Sequence, residues 1–151
     1  MSRLRTAVRA AASVSVLTAA VLTAPQAVAA EQPGPAAAAA NVCSTGYTLR
    51  KAVPLPLGTD PRERLATLFA YENGGKGCVI LDNNVGRSRY MLVQVCKVGG
   101  TSCDKNSGNF SEYAGPVYVS GFACAPVTAK MGTSSSSLSV NYKSDYVFPC
   151  G

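Results

Sequence analysis

The sequence predicts an all-β fold: a small, disulfide-stapled antiparallel β-sandwich or barrel of about seven short strands. Three observations predict it. Apolar and β-branched stretches recur at short intervals between clusters of Gly, Pro, Asn and Ser. No segment keeps a helical period over two turns. Six cysteines and no histidine follow a targeting segment, as in small exported domains that close their core covalently.

Residues 1–30 read as a signal peptide. Arg3, Arg5 and Arg9 form a basic start, residues 10–21 are largely apolar, and Pro25 ends any helix. Ala27-Val28-Ala29 supplies the small residues before a cut after Ala29 or Ala30. The apolar run is shorter than the roughly 20 residues that span a bilayer. The arginines are not a twin pair, so the expected route is general secretion of the unfolded chain to an extracellular destination. Residues 31–40, Glu-Gln-Pro-Gly-Pro and then alanines, read as a disordered leader. A single disulfide-rich β domain is expected over 41–151. Three of the fourteen basic residues leave with the signal, so eleven face eight acids in the mature chain. The closest basic pairs are Arg50-Lys51, Arg62/Arg64 and Arg87/Arg89, with no dense stripe for nucleic acid. Neither nucleic acid nor, after signal cleavage, a membrane is an expected partner.

The domain divides into strands at its turn signals. A first strand starts at Gly46-Tyr47-Thr48-Leu49 and is expected to end at Pro54 and Pro56. A second covers 65–71, where Thr, Phe and Tyr favour strand over helix. Asn73-Gly74-Gly75-Lys76-Gly77 is a turn, and Cys78-Val79-Ile80-Leu81 returns as a third strand. Residues 88–98 form the longest candidate, with Met91, Val93 and Val95 alternating against Tyr90, Leu92 and Gln94. Across Gly99-Gly100, residues 103–113 return as a polar strand that suits a sheet edge. Pro116 fits the start of a strand over 117–119. Gly121 and Pro126 punctuate the stretch around Cys124, residues 134–137 form a loop, and 138–142 alternate as a last strand.

Cys43, Cys78, Cys96, Cys103, Cys124 and Cys150 are an even set. A metal site would need histidine or a CxxC pair, and a catalytic thiol a histidine partner or an odd cysteine. Neither pattern occurs, so three disulfides and no cofactor are expected. Six cysteines allow fifteen connectivities. Cys96 and Cys103 flank the Gly-Gly turn, where opposed residues of a strand pair sit at a spacing a disulfide accepts. For the others, neighbours in sequence are preferred, Cys43 with Cys78 and Cys124 with Cys150. The alternative is Cys43 with Cys150 and Cys78 with Cys124.

Several motifs add up to a resemblance. Val42-Cys43-Ser44-Thr45-Gly46-Tyr47 opens the domain, and Leu68-Phe69-Ala70-Tyr71 runs through the glycine turn into Gly77-Cys78-Val79-Ile80. Phe110-Ser111-Glu112-Tyr113-Ala114-Gly115-Pro116-Val117-Tyr118-Val119 follows, and Cys150-Gly151 closes. This order and spacing resemble the spore-associated protein A family of filamentous, spore-forming bacteria over the whole mature domain. The resemblance implies a small secreted protein found with spores or aerial structures, of unknown biochemical activity, with no catalytic residues to carry over. Cys43, Cys78, Cys124 and Cys150 fall where the family pattern puts them. Cys96 and Cys103 look like an added pair, which supports joining them. The segment 54–64 looks longer than in the family. Ala125-Pro126 stands where a tryptophan is expected.

Four function classes remain to weigh. Without histidine, Ser-His-Asp and Cys-His machinery is absent. A carboxylate pair would have to come from Asp60, Glu63, Glu72, Asp82, Asp104, Glu112 and Asp145, most of them beside turns. The chain is therefore expected not to be an enzyme. A glycan- or cell-wall-binding module would stack sugars on exposed tyrosines, with Tyr113 and Tyr118 as first candidates. A secreted protease inhibitor would present the 54–64 loop, with Arg62 or Arg64 suited to a trypsin-like pocket. The reading adopted is a non-catalytic structural protein of a spore or cell surface, with cell-wall or spore-surface components as partners.

Overall fold

In the computed structural model the described residues are 42–148 and 150. The expected signal peptide, the leader, and residues 41, 149 and 151 of the domain lie outside them. Eight strands of eight residues follow one another: β1 (Thr48–Leu55), β2 (Ala66–Asn73), β3 (Lys76–Asn83), β4 (Arg89–Cys96), β5 (Cys103–Phe110), β6 (Tyr113–Ser120), β7 (Val127–Ser134) and β8 (Ser137–Ser144). They form two antiparallel four-stranded sheets, ordered β1-β2-β3-β6 and β5-β4-β7-β8. The all-β sandwich expected from the sequence is the fold found.

The core lies between the sheets because each strand turns one apolar row inward. Leu68, Ala70, Val79 and Leu81 face Met91, Val93, Val95, Ala129, Met131 and Val140. The alternation read in β4 is the one observed: Met91, Val93 and Val95 are fully buried while Tyr90, Leu92 and Gln94 are partly exposed. Burying each large apolar side chain contributes about 1.5–3 kcal/mol. The C-terminal segment plugs one end. Phe148 is fully buried, meets Phe122 edge-on at 5.0 Å, and Val147 donates its N–H to the Ala125 carbonyl at 3.2 Å.

The two central strands of the first sheet, β2 and β3, are buried on both faces. Phe69, Tyr71, Cys78 and Ile80 point away from the sandwich core and pack with Cys43, Val42, Tyr47 and Tyr113 in a second cluster. Residues 42–47 are pinned there by the Cys43–Cys78 disulfide. This explains why β2 and β3 read as continuous apolar runs and not as alternations.

The β2–β3 hairpin is tighter than the five-residue turn suggested. Asn73 pairs with Lys76, leaving Gly74 and Gly75 as a two-residue loop, both at positive φ (54° and 82°). Such a loop matches the strand twist, and glycine adopts it without steric cost. Gly132 serves a different need. A Cβ there would lie 2.0 Å from the Ser137 carbonyl oxygen, where the β7–β8 pairing shifts register.

Four expectations require correction. Pro54 does not end the first strand: β1 continues to Leu55, with Pro54 opposite Thr67. β1 is an edge strand, so the missing N–H breaks no second ladder. Likewise, Pro116 lies inside β6, also an edge strand, at the irregularity in its pairing with β3 between Val79 and Leu81. The polar strand over 103–113 is two elements, because Ser111-Glu112 turns the chain from β5 into β6. Finally, no strand is expected between Pro126 and the serine run, yet β7 lies there. Val127, Ala129 and Met131 alternate with Thr128 and Lys130 in a clean two-residue period.

The polar strand β5 is indeed an edge. It has a second role. The Asp104 carboxylate accepts the Tyr118 N–H at 2.8 Å, and the Asn106 side-chain oxygen accepts the Gly115 N–H at 3.2 Å. Side chains of one edge strand thus satisfy backbone donors of the other, closing that side of the sandwich.

Candidate functional site

The disulfides follow the preferred pairing: Cys43–Cys78, Cys96–Cys103 and Cys124–Cys150. Cys96 faces Cys103 directly at the end of the β4–β5 ladder, as the Gly-Gly turn implied. All six cysteines are consumed.

The richest polar grouping sits at one end of the first sheet. Leu55 pairs with Ala66, Ala66 with Asn83, and Asp82 with Tyr113. This register brings the 56–65 loop, the 84–88 loop and the Ser111-Glu112 turn together. The 56–65 loop is internally ordered. The Asp60 carboxylate accepts the Arg62 N–H at 2.8 Å, the Glu63 N–H reaches the Asp60 carbonyl at 2.8 Å, and Leu65 donates to the Leu55 carbonyl at 2.8 Å. The Asn84 N–H then bonds the Leu65 carbonyl at 3.0 Å, joining the two loops.

A side-chain chain runs along the same end. The Thr67 hydroxyl donates to the Asn84 amide oxygen at 2.8 Å, and the Asn84 amide nitrogen donates to the Asp82 carboxylate at 3.0 Å. Asp82 is half-buried, and loss of solvent pushes its carboxyl above the usual carboxylate range. The Asn84 hydrogen bond and the Arg64 guanidinium oppose that shift, while Glu112 adds to it. The phenol of Tyr71, on the same outer face, is pushed up to about 12 by burial and then by the Asp82 charge. Arg64 folds back on its loop and donates from Nη1 to the Pro61 carbonyl at 2.9 Å. Its Nε is buried and has no hydrogen-bond partner among the described residues.

Two open concavities flank this grouping. One, of about 440 Å³, is lined by Pro61, Arg62, Arg64 and Asn84. The other, of about 410 Å³, is lined by Asn109, Phe110, Ser111, Glu112, Tyr113 and Gly115. The Asn83 N–H, bonded to the Glu112 carbonyl at 2.7 Å, ties their walls together. The arrangement offers guanidinium, amide, hydroxyl and carboxylate groups around shallow surfaces, chemistry suited to holding polar or charged groups.

Tyr113 and Tyr118, singled out from the sequence, lie on β6 but at different ends of the outer face. Tyr113 opposes Asp82 and packs into the second cluster, whereas Tyr118 opposes Cys78. Tyr118 is 40% exposed, and its ring centroid lies 6.2 Å from that of Tyr47 with a 59° tilt. The tilt means that these two rings are not a flat stacking platform. The structure therefore brings Tyr113, but not Tyr118, to the end that carries Arg62 and Arg64. Arg64 turns inward against Pro61, which leaves Arg62 as the projecting arginine of the 54–64 segment. Sequence reasoning read Asp82-Asn83-Asn84 only as a strand end. The missed signal was their register, which sets Asp82 on the same face as Thr67 and Tyr113.

Fold and site together define a small disulfide-closed β-sandwich with a hydrogen-bonded polar grouping where three loops meet. The chain is similar to Spore-associated protein A of Streptomyces coelicolor, at 32% identity over 103 residues. The match covers 66% of this chain and 62% of the length of that relative. It supports the family relationship that the sequence motifs imply. No family model matches the chain, and no solved structure matches it significantly.

Proposed function

We propose that this chain is a secreted, non-catalytic structural protein held at a spore or cell surface. The similarity to a protein named for its association with spores carries this reading. Three further features support it. The first 30 residues have the composition of a signal peptide, three disulfides suit an oxidising exterior, and a sequence without histidine lacks the commonest acid–base group. A sandwich stapled at one end by two disulfides and on its outer face by the third resists unfolding and proteolysis outside the cell.

Fractionation tests the reading. An epitope-tagged chain expressed from its own promoter is followed by immunoblot in cytoplasm, washed surface material and culture medium. Recovery of most of the protein with the surface supports the proposal. Recovery of the mature protein only in medium or cytoplasm overturns it.

A further inference from the structure

We propose that the concavity lined by Pro61, Arg62, Arg64 and Asn84 binds the anionic group, carboxylate or phosphodiester, of a cell-envelope polysaccharide. The inference rests on the surface reading above and supplies the chemistry of attachment. Arginine presents a planar fork of donors that matches carboxylate and phosphate oxygens in pairs. Two arginines, separated by one residue, share one concavity of about 440 Å³. The loop that carries them is already ordered by the Asp60 carboxylate, the Asp60 carbonyl and the Leu55 carbonyl. Little conformational freedom is then lost on binding.

Arg62 projects to solvent and supplies the accessible donor fork. Arg64 commits Nη1 to Pro61 and keeps its Nε buried, so it contributes mainly its positive charge to the same concavity. Asn84 is held in place by Thr67 and Asp82. Of the nearby acids, Asp60 accepts the Arg62 N–H and Asp82 accepts from Asn84, while Glu63 between the two arginines is exposed to solvent, where its charge is screened.

The adjoining concavity explains why the ligand is a polysaccharide and not a free ion. Ser111, Glu112 and Tyr113 line about 410 Å³ next to the arginine end. A hydroxyl, a carboxylate and a phenol suit sugar hydroxyls, so an anionic residue sits by the arginines and its neighbour by Tyr113. Both concavities are open, so a single contact is weak. Many copies on one repeating polymer convert weak contacts into stable retention.

The test uses the purified, oxidised mature protein. Binding is measured to fluorescent polygalacturonate, to poly(glycerol phosphate) and to neutral dextran, at two salt concentrations. The expected result is salt-sensitive binding to one or both anionic polymers and none to dextran, with the preferred polymer identifying carboxylate or phosphodiester as the group held. The Arg62→Gln/Arg64→Gln variant is expected to bind at least about tenfold more weakly. A Lys130→Gln/Lys143→Gln variant, which removes the same charge from the second sheet, is expected to bind as the parent does. Arg62→Gln alone alters a side chain outside the hydrogen-bonded core and keeps the experiment interpretable if the double variant unfolds; it is expected to weaken binding several-fold. Failure to bind either anionic polymer overturns the inference, as does an equal loss in the arginine and lysine variants. Surface retention of the parent is scored separately. A retained parent that binds neither polymer sinks the inference and leaves the surface reading standing. A parent that binds through its arginines but is never retained sinks the surface reading alone.

Discussion

Asn83, the last residue of β3, donates its side-chain amide to the carbonyl of Phe110, the last residue of β5, at 3.0 Å. One residue of the first sheet thereby anchors the end of the second. The same amide donates to the Arg87 carbonyl at 2.9 Å, and its oxygen accepts the Val85 N–H at 3.0 Å. Asn83 is 8% exposed, so water cannot readily replace these bonds. Asn83→Ala strands two carbonyls and one N–H, and is expected to lower stability by about 1–3 kcal/mol. Urea denaturation of the oxidised protein measures it, and a loss below about 0.5 kcal/mol, the level of an ordinary surface substitution, would refute the role.

The three disulfides are not equivalent. Cys43–Cys78 closes 35 residues and pins residues 42–47 over Phe69 and Ile80, whereas Cys96–Cys103 closes 7. Chain entropy alone makes the longer loop worth about 1.4 kcal/mol more. Paired replacement Cys43→Ala/Cys78→Ala should therefore destabilise more than Cys96→Ala/Cys103→Ala, and should also expose the outer cluster to a hydrophobic dye. Comparable midpoints and dye binding for the two variants would contradict this ranking.

Asp104 and Asn106 guard the open edge of β6. Asp104→Ala/Asn106→Ala frees the N–H groups of Tyr118 and Gly115 to pair with another chain. The expected outcome is faster aggregation on gentle heating, read by light scattering. A variant that stays as clear as the parent over the same heating would show that these two contacts do not protect the edge.

Stability should depend on pH through Asp82. Its folded pKa is raised, with burial as the main cause, above the ordinary 3.8. Folding therefore favours the protonated form. That contribution is full below the ordinary value and is lost as pH rises through the raised one. Asp82→Asn should increase stability at neutral pH and flatten the dependence in this mildly acid window. Thermal melts from pH 3 to pH 7 check it, and an unchanged slope would mean that Asp82 does not carry the effect.

Much of the architecture was legible because strand burial writes a two-residue period into β4 and leaves β5 polar. The disulfides followed from local geometry for Cys96 and Cys103 and from proximity in sequence for the rest. β7 was obscured because Pro126 and the run from Ser134 look like loop, although its own residues alternate. Pro54 and Pro116 misled because a proline ends a strand only where both edges must pair; β1 and β6 each have one free edge. The polar end was legible only in pieces. Arg62, Arg64 and Tyr113 stood out by residue type, but nothing local places the loop after β1 beside the turn before β6. That placement comes from long-range register through Asp82 and Asn83.

The most direct test of the account is rebinding of purified, oxidised mature protein to washed spore or cell surfaces from a strain lacking it. Saturable binding, lost once the three disulfides are reduced, is the predicted result. An intact, oxidised protein that shows no binding, or uptake that never saturates, would contradict the claim that this sandwich is built to be held at a surface.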